Sequence, residues 1–406
     1  MADRDRIASR LQALWEIASG PAGGADRPAF SPAEAEAMLL IAQWADEADL
    51  HPGVDRHGNL WALPSDWDGP LLTSGSHVDT VPDGGRYDGA LGSVLALEFV
   101  DDLKAGGAAR GGLLVFAAEE APRFGAGTIG SRLLTGAMSS DDLHQLTDRD
   151  GVTAAAAQAD HLGRLRDHLP RIEAPLHRVA AHAEVHVAQR RSLRRLGVVT
   201  RVASPRRFEL TLTGESGHAG EVAMTDRRDA LVAGAEIILA IDAAARAEPA
   251  ETVATTGAIA VSPGAVSVIP GRTLLGVDVR GTDGRSLDRV ETALRSATAE
   301  VSERRGVVAE VRQTRAGEPV ALDPVLADAA LACAERRGIP AEPTWSGAGH
   351  DSQHLAARIP TLLLFVPLHG GESHTPDEGA DLGEIVQAAD VVAATLGTRV
   401  SEVPAG

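Results

Sequence analysis

The chain has almost no cysteine. Its 406 residues include a single one, Cys333, so a disulfide within the chain is excluded. Cys333 lies in the alanine-rich stretch ADAALACAERRG, which has a helical pattern and, apart from Arg336 and Arg337, no positive charge nearby to activate a thiol. We therefore expect a buried structural thiol rather than a nucleophile.

Long apolar runs and an excess of basic residues are also missing. The longest runs, such as TLLLFVPL, are too short to span a bilayer, and the opening MADRDRIASR lacks the apolar stretch of a secretory signal. With 38 Lys and Arg against 57 Asp and Glu, the formal net charge is -19, which repels phosphate backbones and anionic membrane surfaces. The expected protein is cytoplasmic and has no nucleic-acid or membrane partner.

What is present is enough apolar sequence for two domains. Three short apolar runs have the length of buried strands, and each leads into polar residues: Leu71 to Ser74, Leu113 to Ala118 and Thr361 to Val366. Ligands of open α/β sheets bind in the crevice at the C-terminal ends of the strands. The polar residues after these runs are therefore candidates for a functional site.

A different order of elements occupies residues 206–316. Its periodicity predicts strand, helix, strand, strand, helix and strand, which is the βαββαβ order of a ferredoxin-like domain. The predicted fold class is therefore α/β, with a catalytic domain in two parts, 1–205 and 317–406, and this smaller domain inserted between them.

The first chemical signal is GSHVDT followed by GGRYDG. His77, at the end of a strand, suits a metal ligand, and Asp79 suits the carboxylate that orients it. Asp88, between turn-forming glycines, has two carboxylate oxygens that could bridge two ions. Taken alone, a His-x-Asp pair is a weak signal and is better explained by a surface turn.

A second signal is Glu119-Glu120 at the end of LLVFAA. Two adjacent carboxylates at the mouth of a buried strand repel each other unless a cation or a proton compensates them. One could bind a metal ion while the other takes a proton from an attacking water. A solvated acidic pair at the start of a loop is the alternative.

Two further histidines, His186 in AEVHVAQ and His374 in GGESHTPDE, could each be an ordinary core histidine or a neutral imidazole ligand. The set as a whole favours the second interpretation. It supplies nitrogen and oxygen ligands without thiolate, as Zn²⁺ or a similar divalent ion accepts.

The motifs, taken in order, resemble those of the allantoate amidohydrolase and N-carbamoyl-L-amino acid hydrolase family, within the di-zinc aminopeptidase-like amidohydrolases. The resemblance spans residues 70–380 and rests on GSHVDTVPDGGRYDGALGS, AAEEAPRFG, TLTGESGHAG, PGAVSVIPGR, SGAGHD and ESHTPDE. An ordered series of this kind is far more specific than any one motif.

The resemblance implies a catalytic domain of mixed sheet and helices that binds two divalent ions per subunit. Zn²⁺ is the expected metal, with Mn²⁺, Co²⁺ or Ni²⁺ as alternatives. It implies that His77 and Glu120 each bind one ion, together with His374 or His186, that Asp88 bridges them, and that Glu119 is the general base.

The resemblance also implies a homodimer formed through the inserted domain. In this family the inserted domain carries residues that complete the partner's active site. His218, in GHAG, matches one of these residues, and its imidazole would stabilise an oxyanion.

Substrate contacts are implied at four positions. Gln189, Arg280 and His350 match substrate-binding residues, and Ser267 stands where the family usually has a substrate-binding asparagine. Arg280 would bind the substrate carboxylate with a bidentate fork, although a structural salt bridge would equally satisfy an arginine at the end of an apolar strand.

The loop after His186 departs from the family pattern His-Ile-Glu-Gln-Gly-Pro. Ala188 replaces the glutamate, and Arg190 and Arg191 replace the glycine and proline. These arginines could read an extra anionic group on an unusual substrate, or the RRSLRR run could be the solvated face of a helix, which is the usual explanation for a charge run.

The sequence thus predicts hydrolysis of an N-carbamoyl amino acid or allantoate-like ureido acid, with metal-activated hydroxide as the nucleophile and release of ammonia and carbon dioxide. Two rival interpretations stay open. The same metal centre could serve an aminoacylase or dipeptidase acting on a plain amide, and a catalytically silent binding protein could keep the fold.

Overall fold

The computed structural model describes residues 2–65, 69–106 and 110–399, which form two compact units. The first unit takes its residues from Met1–Thr200, Ala321–Thr344 and Gly349–Gly406, and the second from Arg201–Val320 and Trp345–Ala348. Residues Trp345–Ala348, which the predicted boundaries leave with the catalytic domain, group with the second unit.

Strands and helices are numbered separately in chain order. The strands are β1 Leu50–Val54, β2 Leu60–Pro64, β3 Leu71–Ser74, β4 Gly111–Val115, β5 Val179–Val187, β6 Leu196–Val202, β7 Ser204–Thr213, β8 Val253–Ser262, β9 Arg272–Gly281, β10 Val308–Ala316, β11 Val320–Ala321, β12 Ala341–Ser346 and β13 Thr361–Val366. The helices are α1 Arg4–Trp15, α2 Pro32–Glu47, α3 Ala90–Gly106, α4 Ile129–Thr135, α5 Ala154–Arg166, α6 Ala230–Arg246, α7 Gly284–Arg305, α8 Pro324–Arg336, α9 Asp351–Leu355 and α10 Leu382–Arg399.

The first unit is built on a nine-stranded mixed sheet in the order β1-β2-β4-β3-β5-β13-β6-β11, with β12 beside β6. Strands β4, β3, β5 and β13 are neighbours and run parallel. Every residue of β3, β4 and β13 is buried, as expected for parallel strands covered on both faces.

Apolar residues pack against both faces of this sheet. One cluster joins the sheet to residues of α1, α2, α3 and α10, and a smaller cluster on the other face includes Trp61, Phe116 and Leu355. Cys333 is buried on α8, as predicted. The parallel strands therefore lie in the middle of the unit, covered on both faces, with their C-terminal ends at one edge.

The second unit confirms the predicted βαββαβ order. Its four strands form an antiparallel sheet in the order β10-β7-β9-β8, and buried residues of α6 and α7 join the same apolar core. Burial alternates along β9, so Leu275, Val277 and Val279 enter the core while Asp278 and Arg280 lie on the opposite face.

Among the described residues, no helix has both the length and the apolar character needed to cross a membrane.

Candidate metal centre

The candidate residues of the first unit follow the C-terminal ends of the parallel strands. His77 comes after β3, Glu119 and Glu120 after β4, and His374 after β13, while His186 is the penultimate residue of β5. Because these strands are neighbours and run in the same direction, their ends converge at one edge of the sheet. The topology therefore gathers side chains that are almost 300 residues apart in sequence, as the distances below show.

One group of potential ligands consists of His77, His186 and Asp88, all of them buried. The Nε2 atom of His186 lies 3.0 Å from Asp88 Oδ1, and the Nε2 atom of His77 lies 3.9 Å from the same oxygen. The two Nε2 atoms are 3.3 Å apart. Three potential metal-ligand atoms, two imidazole nitrogens and one carboxylate oxygen, thus lie close together.

A second group consists of Asp88, Glu120 and His374. Here His374 Nε2 lies 3.1 Å from Asp88 Oδ2 and 3.5 Å from Glu120 Oε1. Asp88 therefore presents one oxygen to each group, which is the geometry of a carboxylate that bridges two ions. In the described residues His77 lies with His186, and Glu120 lies with His374.

The backbone contacts of the two buried histidines fit a cation in the first group. His77 Nδ1 is 3.0 Å from the backbone oxygen of Asp79, and His186 Nδ1 is 3.2 Å from that of Val187. In the neutral rings these carbonyl groups hold the protons on Nδ1, so both Nε2 lone pairs face Asp88. Within the described chain Asp88 Oδ1 has no hydrogen-bond donor, which leaves three electron-rich atoms facing one another.

Asp79 links the loop that carries His77 to the loop that carries Glu119 and Glu120. Its Oδ1 lies 3.4 Å from His77 Nδ1, and its carboxylate accepts the backbone N–H groups of Glu119 at 3.1 Å and Glu120 at 2.9 Å. Glu119 Oε2 in turn lies 3.9 Å from His77 Nε2. One carboxylate behind the site thereby sets the positions of a candidate ligand and of the candidate base.

Backbone geometry around the site is unusual in two places. Ala118 and His374 both adopt positive φ, 55° and 60°, which costs free energy for residues other than glycine. Gly89 also has positive φ, and a Cβ there would lie 2.4 Å from the His77 ring. The tight approach of the Asp88 turn to His77 therefore requires glycine.

The electrostatics of the site favour positive charge. Burial opposes protonation of His77, yet Glu119, Asp79 and Asp88 raise its pKa well above the usual value. The Asp88 hydrogen bond, with further help from Glu120, raises the pKa of His374 to about 9 against the effect of burial. A bound cation would satisfy the same excess of negative charge.

Burial and the surrounding charges also change the pKa values of the two adjacent glutamates. Burial, the nearby His77 and the Glu120 carboxylate act on Glu119, and the net effect raises its pKa well above the usual value. Burial and the charge of Asp88 raise the pKa of Glu120 to about 7. The acidic pair is thus not a solvated one at the start of a loop.

Comparison with known proteins agrees with this geometry. Residues 73–398 match the model of peptidase family M20/M25/M40. The chain belongs to this family. It is 32% identical to the N-carbamoyl-L-amino acid amidohydrolase of Geobacillus stearothermophilus over 98% of each chain, and 31% identical to the allantoate amidohydrolase of Bacillus subtilis over 92% of each.

Solved structures support the same assignment. A hydantoinase/carbamoylase family amidase from Burkholderia multivorans is 31% identical, and the superposition covers 98% of each chain with a TM-score of 0.87. The resemblance predicted from the motifs is confirmed, and the chain is an amidohydrolase, a hydrolase of C–N bonds other than peptide bonds. Members of family M20 generally depend on two metal ions, which fits the paired ligand groups described above.

Glu184 is a part of this M20 site that the sequence analysis missed. It lies on β5, two residues before His186, and its carboxylate accepts hydrogen bonds from Ser76 Oγ at 2.9 Å, Ser352 N at 3.0 Å and Ser352 Oγ at 2.5 Å. Ser76 precedes His77, and Ser352 is two residues beyond His350. The Glu184 carboxylate thus joins three segments that carry candidate residues.

Glu378 was missed as well. Its Oε1 accepts the backbone N–H groups of Tyr87 at 2.7 Å and Asp88 at 3.0 Å, and its Oε2 accepts Ser373 Oγ at 2.8 Å. A Cβ on Gly85 would lie 2.2 Å from this carboxyl group, so the turn closes over it. The signal in the sequence is a carboxylate four residues after His374, but nothing local shows that it reaches Asp88.

Two of the predicted substrate-binding residues lie beside the ligands in the first unit. Gln189 Nε2 is 3.2 Å from Asp88 Oδ2 and 3.1 Å from His374 Nε2. His350 is buried with its ring centroid 4.5 Å from that of His186, and its pKa is well below the usual value because of burial and the neighbouring His186. A neutral His350 can accept or donate a hydrogen bond.

The other predicted contacts belong to the second unit. His218 is exposed, and its Nδ1 accepts the backbone N–H of Gly220 at 3.1 Å, which leaves the ring hydrogen on Nε2 as a free donor in the neutral form. Ser267 is also exposed, and its backbone oxygen accepts the N–H of Ala219 at 2.9 Å. His218 and Ser267 therefore lie on adjoining loops.

Arg280 has a carboxylate partner within its own strand. Its Nε lies 2.8 Å from Asp278 Oδ1, and its Nη1 lies 3.3 Å from the backbone oxygen of Gly347. The structural salt bridge that the sequence left open is therefore present. The guanidinium group is still partly exposed, with 38% of the side chain accessible to solvent.

The helix expected for RRSLRR is wrong, because residues 190–195 form a loop and turn before β6, although Arg191, Arg194 and Arg195 are exposed as expected. Arg190 Nη2 donates to Thr344 Oγ1 at 2.5 Å, and Arg191 forms an ion pair with Glu372. A Cβ on Gly371 would meet the Arg191 backbone at 2.3 Å. The loop therefore packs on the segment that carries His374 instead of continuing as a helix.

Proposed function

We propose that this amidohydrolase cleaves a C–N bond of a small ureido acid, an N-carbamoyl-L-amino acid or an allantoate-like compound, and releases ammonia and carbon dioxide. The observation that carries the proposal is the pair of ligand groups that share Asp88, with Glu119 beside them. The substrate class is supported by the names of the relatives that span nearly the whole chain.

The residues that would hold two divalent cations are His77 and His186 for one, Glu120 and His374 for the other, and Asp88 for both. Zn²⁺ is the proposed metal, because the ligands are imidazole and carboxylate groups, with Mn²⁺, Co²⁺ and Ni²⁺ as alternatives. When bound, the cations would polarise the scissile carbonyl group and lower the pKa of the attacking water.

Glu119 is the proposed general base. Its Oε2 would take a proton from the attacking water and deliver it to the leaving nitrogen, and Asp79 would hold its backbone in place for this transfer. In the active site of the partner subunit, the Nε2–H of His218 would donate to the oxyanion that forms on the carbonyl oxygen. Gln189, Ser267, Arg280 and His350 are the proposed substrate contacts, with Arg280 for the carboxylate.

A homodimer is part of the proposal and is supported by the edge of the second unit. Strand β8 lies at the end of the four-stranded sheet, and its Val253 and Ile259 are 48% and 53% exposed. Leu239 on α6, a helix that packs against β8, is 68% exposed. An edge strand with exposed apolar residues is a surface that another copy of the chain can cover in a two-fold arrangement.

The test is release of ammonia from a panel of N-carbamoyl-L-amino acids, ureidopropionate and allantoate, by protein loaded with zinc or manganese. Replacement of Glu119 by Gln should reduce kcat by a factor of roughly 10² to 10⁴ while two metal ions per subunit stay bound. The metal content, measured by elemental analysis, separates loss of the base from loss of the site. Absence of ammonia across the panel from protein with both metals bound would reject the proposal.

A further inference from the structure

The turn at residues 117–120, which carries Glu119 and Glu120, is held by side chains from three other parts of the first unit. Its four consecutive backbone N–H groups each donate to a side-chain oxygen: Ala117 N to Asn59 Oδ1 at 3.1 Å, Ala118 N to Glu34 Oε1 at 2.7 Å, Glu119 N to Asp79 Oδ1 at 3.1 Å and Glu120 N to Asp79 Oδ2 at 2.9 Å. Most backbone N–H groups in proteins donate to other backbone groups. Side chains therefore fix the N–H groups of this turn, and the bond to Glu34 is the shortest of the four.

Ala118 is the residue of this turn whose backbone is under strain. Its φ of 55° lies in the left-handed region, where the Cβ of any residue other than glycine is crowded by the backbone. In this conformation the next residue, Glu119, has its Oε2 3.9 Å from His77 Nε2. A change of Ala118 to an ordinary negative φ would turn the Glu119 side chain away. The direction of Glu119 thus depends on the contacts that keep Ala118 in the left-handed region.

Glu34 lies in the first turn of α2, 84 residues before Ala118, and its side chain is completely buried. A glutamate at the third helical position commonly accepts the N–H of the N-cap residue, which is Ser31 here. Glu34 Oε2 instead accepts the N–H of Phe30 at 2.5 Å, while Oε1 leaves the helix and reaches Ala118. Support for the start of α2 therefore accounts for one of the two oxygens.

Burial of the Glu34 carboxyl group opposes folding. Burial and the charge of Asp79 raise the pKa of Glu34 well above its usual value, although the hydrogen bonds from Ala118 and Phe30 act in the other direction. His161 Nδ1 lies 3.7 Å from Glu34 Oε2, but burial lowers the pKa of His161 to about 4, so this ring is neutral and offers no compensating charge. A buried acidic group in such surroundings favours a role in the site over a role in stability.

We propose that Glu34 is a positioning residue for Glu119: by accepting the Ala118 N–H, it fixes the left-handed turn that directs the general base towards the metal centre. This inference rests on the proposed function, which makes Glu119 the base. The effect of Glu34 passes through the backbone of Ala118, and Asn59 and Asp79 hold the residues on either side.

The kinetic test replaces Glu34 by Leu, a side chain of similar size without an acceptor for the Ala118 N–H. With the substrate that the wild type hydrolyses best, kcat should fall by a factor of roughly 10 to 100, because a displaced base slows turnover, while KM and the metal content stay unchanged. Ser31→Ala is the matched control. It removes the 3.1 Å hydrogen bond from Glu34 N to Ser31 Oγ and so weakens the same helix start without touching Ala118. It should lower the midpoint of thermal unfolding and leave kcat as in the wild type.

A second substitution separates positioning from stability. Ala118→Gly, introduced into the Glu34→Leu variant, should restore part of the lost kcat, because glycine adopts the left-handed turn without steric strain and needs less support. A purely structural role of Glu34 predicts no recovery, since this change only removes a methyl group from the core. Equal kcat in the Glu34→Leu and Ser31→Ala variants, or no recovery in the double variant, overturns the inference.

Hydrogen exchange tests the same contact without a substrate. In Glu34→Leu the amides of residues 117–120 should exchange roughly ten times faster than in the wild type, and in Ser31→Ala they should not. If the wild type hydrolyses no ureido compound, the proposed function fails, and these exchange rates alone support or overturn the role of Glu34. If Glu34→Leu does not fold, the wild type decides: an Ala118 amide as protected as those of β4 supports the inference, and one that exchanges like an exposed loop overturns it.

Discussion

Asp88 is shared by both ligand groups, and its position depends on Glu378, a residue that binds no candidate ion. The Glu378 carboxylate accepts the backbone N–H of Asp88 and, through Ser373, also contacts the segment that ends in His374. Ser373 Oγ in turn lies 2.9 Å from Asp88 Oδ2. A side chain that orients a ligand in this way contributes to metal affinity without contacting the metal.

Replacement of Glu378 by Gln should therefore weaken metal binding by a factor of about 10 to 100. The variant loses the charge that holds the Tyr87 and Asp88 N–H groups, while its size is nearly unchanged. The measurement is metal affinity by competition with a chelator. Asp377→Asn, at the exposed neighbouring position, is the control and should bind metal as the wild type does; equal affinities for both variants would contradict this role of Glu378.

At the scale of single residues, the sequence predicts which residues are candidate metal ligands better than it predicts the hydrogen-bond partners that hold them. His77, Asp88 and Glu120 could be recognised because they belong to an ordered set of motifs. The contacts of Glu184 and Glu378 could not, because they join segments more than 100 residues apart through buried hydrogen bonds. Asp278 was likewise overlooked as the partner of Arg280, although only one residue separates the two.

Among the elements, β5 has the largest influence on the site. His182, Glu184 and His186 alternate along it and so share one face. The strand was not predicted, although the run VAAHAEVHV alternates as a strand does; its alternating polar residues are all buried, whereas alternation normally indicates one solvent-exposed face. Its two parallel neighbours, β3 and β13, were predicted with the bounds that the structure shows.

His182 makes the stability of this strand depend on pH. Its Nδ1 contacts Thr73 Oγ1 at 3.0 Å, and complete burial lowers its pKa to about 3. The folded state therefore keeps His182 neutral, while the unfolded chain takes up a proton below pH 6.5. The contribution of this residue is complete above pH 6.5 and is lost progressively as the pH falls from 6.5 towards 3.

Replacement of His182 by Gln should make unfolding less sensitive to acid. Between pH 7.5 and 5.5 the wild type should lose about 1.4 kcal/mol more free energy of unfolding than the variant, because one depressed pKa contributes about 1.4 kcal/mol per pH unit. Urea titrations at the two pH values measure the difference. His177→Gln, at an exposed position, should leave the loss as in the wild type, and the same loss in both variants would rule out His182 as its source.

For the whole molecule, the proposed dimer makes a prediction about one edge of the second unit. Ile259→Glu on β8 should shift the protein from dimer to monomer, because a buried charge in an apolar interface is costly. The molar mass from light scattering measures the shift. Val308→Glu on β10, the opposite edge strand with a 73% exposed valine, is the control and should remain dimeric; a dimer in both variants would place the interface elsewhere.

Strand β13 comes late in the chain but sits in the middle of the large sheet, between β5 and β6. During synthesis the second unit, whose long segment Arg201–Val320 is continuous, can fold on the ribosome before β13 has been made. Until residues Thr361–Val366 emerge, β5 and β6 lack the strand that joins them, and His186 has no neighbour on one side. In a nascent chain the second unit would therefore be folded before the first is complete. The enzyme would become competent to bind metal only when its last strand, β13, has left the exit tunnel.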